Sequence, residues 1–405
     1  MNVLFLHNNF PGQYLHIAPA IARDPNNVVV FGTKNTDPTQ LEGVHKVNFA
    51  PAREASPNIH HYVRPYENAV LHGQAVYRLG EQLKAAGFIP DVVCAHSGWG
   101  VGMFIKDTFP QASLLSYFEW FGQPQGADLD FDPAFPLSAD DVLRIHASNA
   151  ALLMDLYRCD HGISPTVWQR SQFPREFHSK ITVLHDGVDT DYFHPIPGAK
   201  LVLPNLDLAH VEELVTFVAR GMDSYRGFPQ FIQAIALVLK QRPHCHVVIV
   251  GSDRVAYGPP PPGHESYKSW MLERVSLDLS RVHFVGLLNY GHYKKVLQAS
   301  SVHVYLTRPF VLSWSLMEAM SSGCLILGSK TPPVQEVIEH GVNGLLVDFF
   351  DVEAIASQIE AVLTHPTSYQ ELRVNARKTI CDRYARSMLL PKQIELIKSF
   401  ADLRA

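Results

Sequence analysis

At 405 residues, with 46% hydrophobic and 18% charged side chains, the chain is too long for one ordinary core and has the balance of a folded globular protein. Intrinsic disorder and fibrous architecture are thereby excluded. The net charge of −5 sits in the first half: residues 1–190 carry 13 basic and 19 acidic side chains, leaving that half at −6 and the remainder at +1. Nucleic-acid binders show a basic field, so that class is disfavoured, as is strong docking on anionic lipid.

The chain opens with the apolar run Val3–Leu6, which has no basic flank before it and Asn8-Asn9 after it. That is the pattern of a first β-strand and not of a secretion signal. Further short apolar runs follow at Val28–Phe31, Val92–Ala95, Ser113–Tyr117, Leu214–Ala219, His246–Val250, Val282–Val285, Val302–Leu306 and Cys324–Gly328. They are apolar throughout, as parallel strands covered on both faces must be, and longer helical stretches separate them. The alternation predicts doubly wound α/β layers.

Between the two sets of strands, Asp186 to Phe193, followed by Pro195, Pro197 and Gly198, has no period of its own and reads as a linker. The expected organisation is a Rossmann-like domain over 1–190, a second over 191–385, and a C-terminal helix over 386–405 packing back towards the first. Ligands should bind at the carboxyl ends of the strands. Five scattered cysteines (Cys94, Cys159, Cys245, Cys324, Cys381) suit a reducing compartment and neither a metal site nor a disulfide framework. No apolar run approaches the ~20 residues that span a bilayer. A cytoplasmic chain is expected, at most peripheral at the inner membrane face.

The phrase Ile181-Thr182-Val183-Leu184-His185-Asp186-Gly187-Val188-Asp189, with Phe193 after it, resembles the linker signature of the retaining GT-B glycosyltransferases of family 4, the glycosyl transferases group 1. That family includes sucrose-phosphate synthases and many bacterial polysaccharide enzymes, and the similarity extends over nearly the whole chain. It implies the GT-B fold, with two Rossmann-like domains whose parallel sheets face each other across a cleft. The first would bind the acceptor and the second a nucleotide-sugar donor. The implied reaction moves a hexose-type sugar from a nucleoside-diphosphate donor to a glycan, lipid-linked or small-molecule acceptor, with retention and without cofactor.

Candidate site residues follow from the strand ends. In the loop Phe10-Pro11-Gly12-Gln13-Tyr14, Gly12 allows close approach of backbone to a ligand, and the resemblance places this loop over the donor diphosphate and acceptor. His96 ends the run Val92–Ala95, where a near-neutral imidazole suits sugar hydroxyls, and Glu119 ends the next strand with a carboxylate. Arg220 and Arg226 flank a glycine-containing loop after a strand, and two guanidiniums there can neutralise a departing diphosphate. The resemblance matches them to the family's Arg and Lys pair, with arginine as the second member and a spacing one residue longer.

The stretch Pro309 to Gly323 reads as a loop entering a helix. Amides of Phe310, Val311, Leu312 and Ser313 can bind donor oxygens, and Glu318, farther along the helix, can accept from vicinal ribose hydroxyls. The resembled family carries two glutamates here, the second matching Glu318 and the first falling at Phe310. That replacement bears on the donor sugar. The resemblance further implies that Leu287 and Leu288 flank the base and that Ser329 and Thr331 contact the donor. Asp128-Leu129-Asp130 and Asp189-Thr190-Asp191 have a metal-bridge spacing, but the first lacks a preceding strand and the second is linker. No metal is expected. A sugar-binding or regulatory protein without catalysis, or an epimerase or phosphorylase of the same fold, are the alternative readings.

Overall fold

The computed structural model describes residues 1–402; positions 403–405 of the expected C-terminal helix lie outside the described residues. The chain divides into two compact units, Met1–Gly187 together with the segment from Ser387 onward, and Val188–Arg386.

In the first unit seven parallel strands form one sheet: β1 (Asn2–Leu6), β2 (Val28–Thr33), β3 (Val44–Asn48), β4 (Val92–His96), β5 (Ser113–Tyr117), β6 (His161–Ser164) and β7 (Ile181–Val183), in the order β3-β2-β1-β4-β5-β6-β7. The order reverses beside β1, which pairs with β2 on one side and β4 on the other. The apolar runs are continuous because alternate residues enter different cores. Leu4, Leu6, Val93 and Ala95 join one cluster, while Val3, Phe5, Val92 and Cys94 join another. The second cluster is completed by Leu390, Ile394, Ile397, Phe400 and Ala401 of the helix Arg386–Asp402. Ser113 Oγ donates to Phe400 O at 2.7 Å, fixing that helix on the same unit.

The second unit starts with a short antiparallel pair, β8 (Leu201–Leu203) and β9 (Leu206–Leu208). Its six-stranded parallel sheet comprises β10 (Glu213–Gly221), β11 (Cys245–Ser252), β12 (Val282–Gly286), β13 (Val302–Tyr305), β14 (Ile326–Ser329) and β15 (Leu345–Val347), ordered β12-β11-β10-β13-β14-β15. Here too the switch lies beside the first long strand, β10, between β11 and β13. The ends of this unit are tied to each other: Val188 N donates to Tyr384 O at 2.8 Å, Arg386 N to Val188 O at 2.8 Å, and Arg386 Nη2 pairs with Asp189 Oδ2 at 2.6 Å.

Two doubly wound parallel sheets are what the sequence periodicity predicts. The strands it passes over are β3, β6, β7, the β8–β9 pair and β15. β3 is an edge strand whose His45 and Lys46 break the apolar run, and the others are three or four residues long. Among the described residues no helix is long and apolar enough to cross a membrane.

Candidate functional site

In the first unit a polar cluster forms where β1, β4 and β5 end, the position at which a doubly wound sheet presents side chains to ligand. His7 follows β1 directly, His96 closes β4, and Glu119 stands two residues beyond β5. His7 Nδ1 accepts from the amide of Asn9 at 2.8 Å, so the ring proton sits on Nε2 and is given to Gln13 Oε1 at 2.8 Å. The Gln13 amide in turn donates to Glu119 Oε1 at 3.3 Å. His96 Nδ1 donates to Ser97 O at 3.1 Å, and its Nε2 points towards Glu119 Oε2 from 3.6 Å, just beyond hydrogen-bond reach.

Aromatic rings hold these groups in place. Trp99 stacks on His96 with centroids 4.4 Å apart and planes at 14°, and the His7 and His96 rings meet edge to face at 4.7 Å. Burial, followed by the neighbouring His96, lowers His7 to about 3, which keeps it neutral. For Glu119 burial opposes ionisation, but His96, His7 and Gln13 outweigh it and hold the carboxyl below its ordinary range. The cluster therefore pairs an ionised acceptor with an imidazole.

Gly12 lies against this cluster in a way the sequence did not reveal. Its φ is +54°, and a Cβ there would stand 2.6 Å from His7 Nε2. The residue that glycine admits is the imidazole of its own chain. Beneath the strand ends, Tyr14, Tyr117, Cys94 and Asp186 line a cavity of about 30 Å³. That is room for water and not for a sugar.

In the second unit the loop after β10 organises the site. Asp223, wholly buried, accepts from the amides of Arg226 (3.2 Å), Ala256 (3.0 Å) and Tyr257 (3.1 Å), joining the loops that follow β10 and β11. Gly227 has φ +64°, and a Cβ there would meet Leu306 Cβ at 2.5 Å, so the turn presses against the end of β13. The two sequence-predicted arginines then differ. Arg220 is exposed near the end of β10, whereas Arg226 is buried and donates Nη1 to Thr307 Oγ1 at 2.7 Å and Tyr305 OH at 3.2 Å. Burial works against the Arg226 charge, yet Tyr305, Tyr257 and Asp223 outweigh it.

Phe310 enters this environment as an aromatic wall. Its ring meets Tyr225 edge-on at 5.3 Å and Tyr257 at 5.2 Å, and the Arg226 guanidinium lies 5.8 Å from its centroid. Val311 is partly buried and Leu312 packs into the core. Ser313 caps the helix Trp314–Ser321 by accepting from Ser315 N at 3.3 Å, and its own amide donates to Tyr305 OH at 2.9 Å. Tyr305 thus receives bonds from both Arg226 and the loop.

Glu318 lies on that helix, 9% exposed. Tyr293 OH donates to its Oε2 at 2.8 Å, and Tyr290 OH reaches Oε1 at 3.5 Å. Burial raises the carboxyl to about 7, with the two phenols acting in the opposite direction. Leu287, next after β12, is 72% exposed, while Leu288 is partly buried against the core. Ser329 and Thr331 are buried, and both hydroxyls donate to Thr307 O, at 3.0 and 3.2 Å; Ser329 Oγ also accepts Thr307 N at 3.0 Å. Their bonds brace Thr307, just beyond β13, whose hydroxyl accepts from Arg226. Among the described residues no group of three or more His, Cys, Asp or Glu side chains is placed to hold a metal ion.

The structure thus gathers His96, Glu119 and Gly12 in the first unit. In the second it gathers Arg226, the Phe310–Ser313 loop, Ser329 and Thr331 around β13, with Glu318 on the helix that follows. His7, Asp223, Thr307, Tyr290 and Tyr293 escaped sequence reasoning. His7 carries the same signal as His96, a histidine at the carboxyl end of a buried strand. Tyr293 carries none, because 25 residues separate it from Glu318.

Two parallel α/β units of this topology, with polar clusters at the strand ends, define the GT-B class of fold. Residues 25–193 match the glycosyl transferase family 4 model and residues 205–379 the model for glycosyl transferases group 1. The second unit thus carries a glycosyl transferases group 1 domain and the first a glycosyl transferase family 4 domain, so that the chain is built as a glycosyltransferase. An uncharacterized glycosyltransferase of Haemophilus influenzae is 23% identical over 198 residues, 48% of this chain and 52% of that protein. Another from Methanocaldococcus jannaschii is 25% identical over 192 residues, 46% of this chain and 45% of that one. The chain spans about half the length of the curated relatives it matches. Among solved structures, sucrose-phosphate synthase from Thermosynechococcus elongatus superposes with TM-score 0.70 at 18% identity, covering 98% of both chains. HepE from Anabaena, solved with UDP and glucose, gives 0.71 at 18% identity over 98% of this chain and 100% of that one. These structural likenesses establish a shared fold.

Proposed function

We propose that the chain is a hexosyltransferase that takes sugar from a nucleoside-diphosphate donor with retention of configuration and without a metal ion, in the cytoplasm or at the inner face of a membrane. The observation that carries this reading is Glu318, a buried carboxylate oriented by Tyr293 on the helix entered through the Phe310–Ser313 loop. A carboxylate close to a diphosphate site is repulsive unless it accepts hydroxyls, and vicinal ribose hydroxyls are the partners a nucleotide offers. UDP is the first nucleotide to try, because HepE structures contain UDP, and UDP-glucose in one case.

In this reading the second unit binds the donor. Leu287 and Leu288 flank the base, the amides of Val311 and Leu312 donate to donor oxygens while those of Phe310 and Ser313 are held by Arg308 O and Tyr305 OH, and Ser329 and Thr331 brace Thr307 ahead of that loop. Arg226, kept charged although buried, and the exposed Arg220 neutralise the leaving diphosphate as the glycosidic bond breaks. Fixed cations of this kind supply the charge that a metal would otherwise bring. His96 and Glu119 of the first unit contact sugar hydroxyls, the carboxylate accepting and the imidazole fixing orientation. The acceptor is a glycan, a lipid-linked glycan or a small molecule.

Titration calorimetry of the pure chain with UDP, GDP, ADP and their glucose conjugates tests the reading. One nucleoside diphosphate should bind, and Glu318→Ala should weaken it at least about tenfold, the loss of one charge-assisted bond pair. Equal affinity of wild type and E318A would remove the basis of the proposal.

A further inference from the structure

His7 is a buried polar ring that the proposed chemistry leaves unused. Burying an imidazole is costly unless both nitrogens are bonded, and here both are. Nδ1 receives the Asn9 amide and Nε2 faces Gln13 Oε1, each at 2.8 Å. The first bond removes the choice of tautomer, since a nitrogen that accepts cannot carry the proton. The second then removes the choice of amide orientation at Gln13. Its oxygen must face His7, so its NH2 must face Glu119, 3.3 Å away. Space for the ring exists only because residue 12 is glycine, whose missing Cβ would lie 2.6 Å from Nε2.

We propose that His7 is a positioning residue: through Gln13 it delivers a hydrogen-bond donor to Glu119 Oε1, leaving Oε2 turned towards His96 for a substrate hydroxyl. The assignment of Glu119 and His96 to substrate contact rests on the function proposed above; the relay itself does not. It explains why a polar ring occupies a place in which an apolar side chain would avoid any desolvation cost. It also assigns Gln13 a purpose that the adjoining Pro11 and Gly12, seen as a turn, do not suggest.

Several titratable groups face this cluster. Tyr14 contributes from the turn after β1, His96 from β4, Tyr117 from β5, Asp155 from the helix Ala150–Arg158, and Asp186 from beyond β7. Burial pushes Tyr14 and Tyr117 up, so both stay neutral through the working range, and it raises Asp155 to about 7. Among these neighbours, His7 and Gln13 are the pair whose alteration changes the hydrogen bonding of Glu119 Oε1 without removing a formal charge.

The test reads Glu119 directly. The full chain, labelled with 13C at glutamate carboxyl carbons, is titrated by NMR, with Glu119→Gln used to assign the resonance. In wild type the midpoint should lie below the ordinary carboxyl range, since His96, His7 and Gln13 outweigh burial there. In His7→Leu and in Gln13→Leu it should rise by roughly one pH unit, the effect of one lost hydrogen bond to the ionised form. His7→Gln places an amide nitrogen where Nε2 stood and should keep the wild-type midpoint. The double variant H7L/Q13L should shift no further than either single one, as members of one relay do.

A midpoint unchanged in Q13L, or shifted as far in H7Q as in H7L, overturns the relay. Gln13 is only partly buried, so Q13L keeps the test decisive if H7L does not fold. No donor or acceptor is needed, so a chain that transferred no sugar would refute the proposed function and leave this result standing.

Discussion

Tyr293 donates its phenol hydrogen to Glu318 Oε2 at 2.8 Å, and the pair links the helix Tyr290–Gln298 to the helix Trp314–Ser321. The bond prepares one face of the carboxylate and leaves Oε1 to the more distant Tyr290 hydroxyl. A ribose entering the site would compete with Tyr290 and keep Tyr293.

Burial raises the Glu318 carboxyl to about 7 in the folded chain, above the ordinary range of a glutamate. A raised folded pKa means that the associated stability is complete below the unfolded value and is lost as pH rises through the folded one. Relative to Glu318→Gln, wild type should therefore lose stability between pH 5 and pH 8. Urea denaturation at both values checks this, and a constant difference between the two proteins would contradict it. Tyr293→Phe removes a bond that favours the ionised form. It should push the carboxyl higher and cost about 1–2 kcal/mol at pH 8.

Nucleotide affinity should follow the opposite course. A ribose hydroxyl donates better to the ionised carboxylate, so uridine, which has no phosphate to titrate, should bind more tightly at pH 8 than at pH 6. In E318Q its affinity should be flat across that range. Calorimetry at the two pH values distinguishes the outcomes.

Arg226 is bonded to Thr307 and Tyr305 and lies near the Tyr257 and Phe310 rings. Lysine retains the charge but not the planar fork, so Arg226→Lys should fold and bind nucleoside diphosphate roughly tenfold more weakly. Arg226→Met leaves the Thr307 and Tyr305 hydroxyls without their shared donor. It should lower stability by about 2 kcal/mol as well. Exposed Arg220 should affect binding or turnover and leave the melting temperature within a degree or two.

Gly12→Ala forces a side chain onto a backbone at φ +54° and against His7. The expected cost is about 1–3 kcal/mol, read as a fall in melting temperature, together with reduced activity because His7 must move. A variant of wild-type stability and rate would show that the turn can relax.

Excess chelator should leave transfer intact, since the proposed leaving-group stabilisation comes from arginines. Complete loss that a divalent cation restores would contradict that part of the account.

What the sequence made legible follows the physics of burial. Strands covered on both faces, such as Val92–His96, announce themselves as uninterrupted apolar runs, and Glu318 follows from its place on a helix behind a loop of fixed pattern. Edge strand β3 did not, because exposure lets His45 and Lys46 interrupt it. Hydroxyl direction was equally hidden: Ser329 and Thr331 sit at a strand end where ligands bind, yet their bonds go to Thr307. Contacts made across the fold, such as Phe310 with Tyr225 and Tyr257 or His7 with Gln13 and Glu119, depend on strand order, which no local pattern encodes.

Sugar transfer itself is read by incubating the pure chain with a panel of nucleotide sugars and measuring the nucleoside diphosphate released, with and without candidate acceptors. At least one donor should be turned over, with the rate reduced about a hundredfold or more in Arg226→Ala and Glu318→Ala. A protein that turns over none of them, or one in which both variants retain the wild-type rate, would contradict the proposed function.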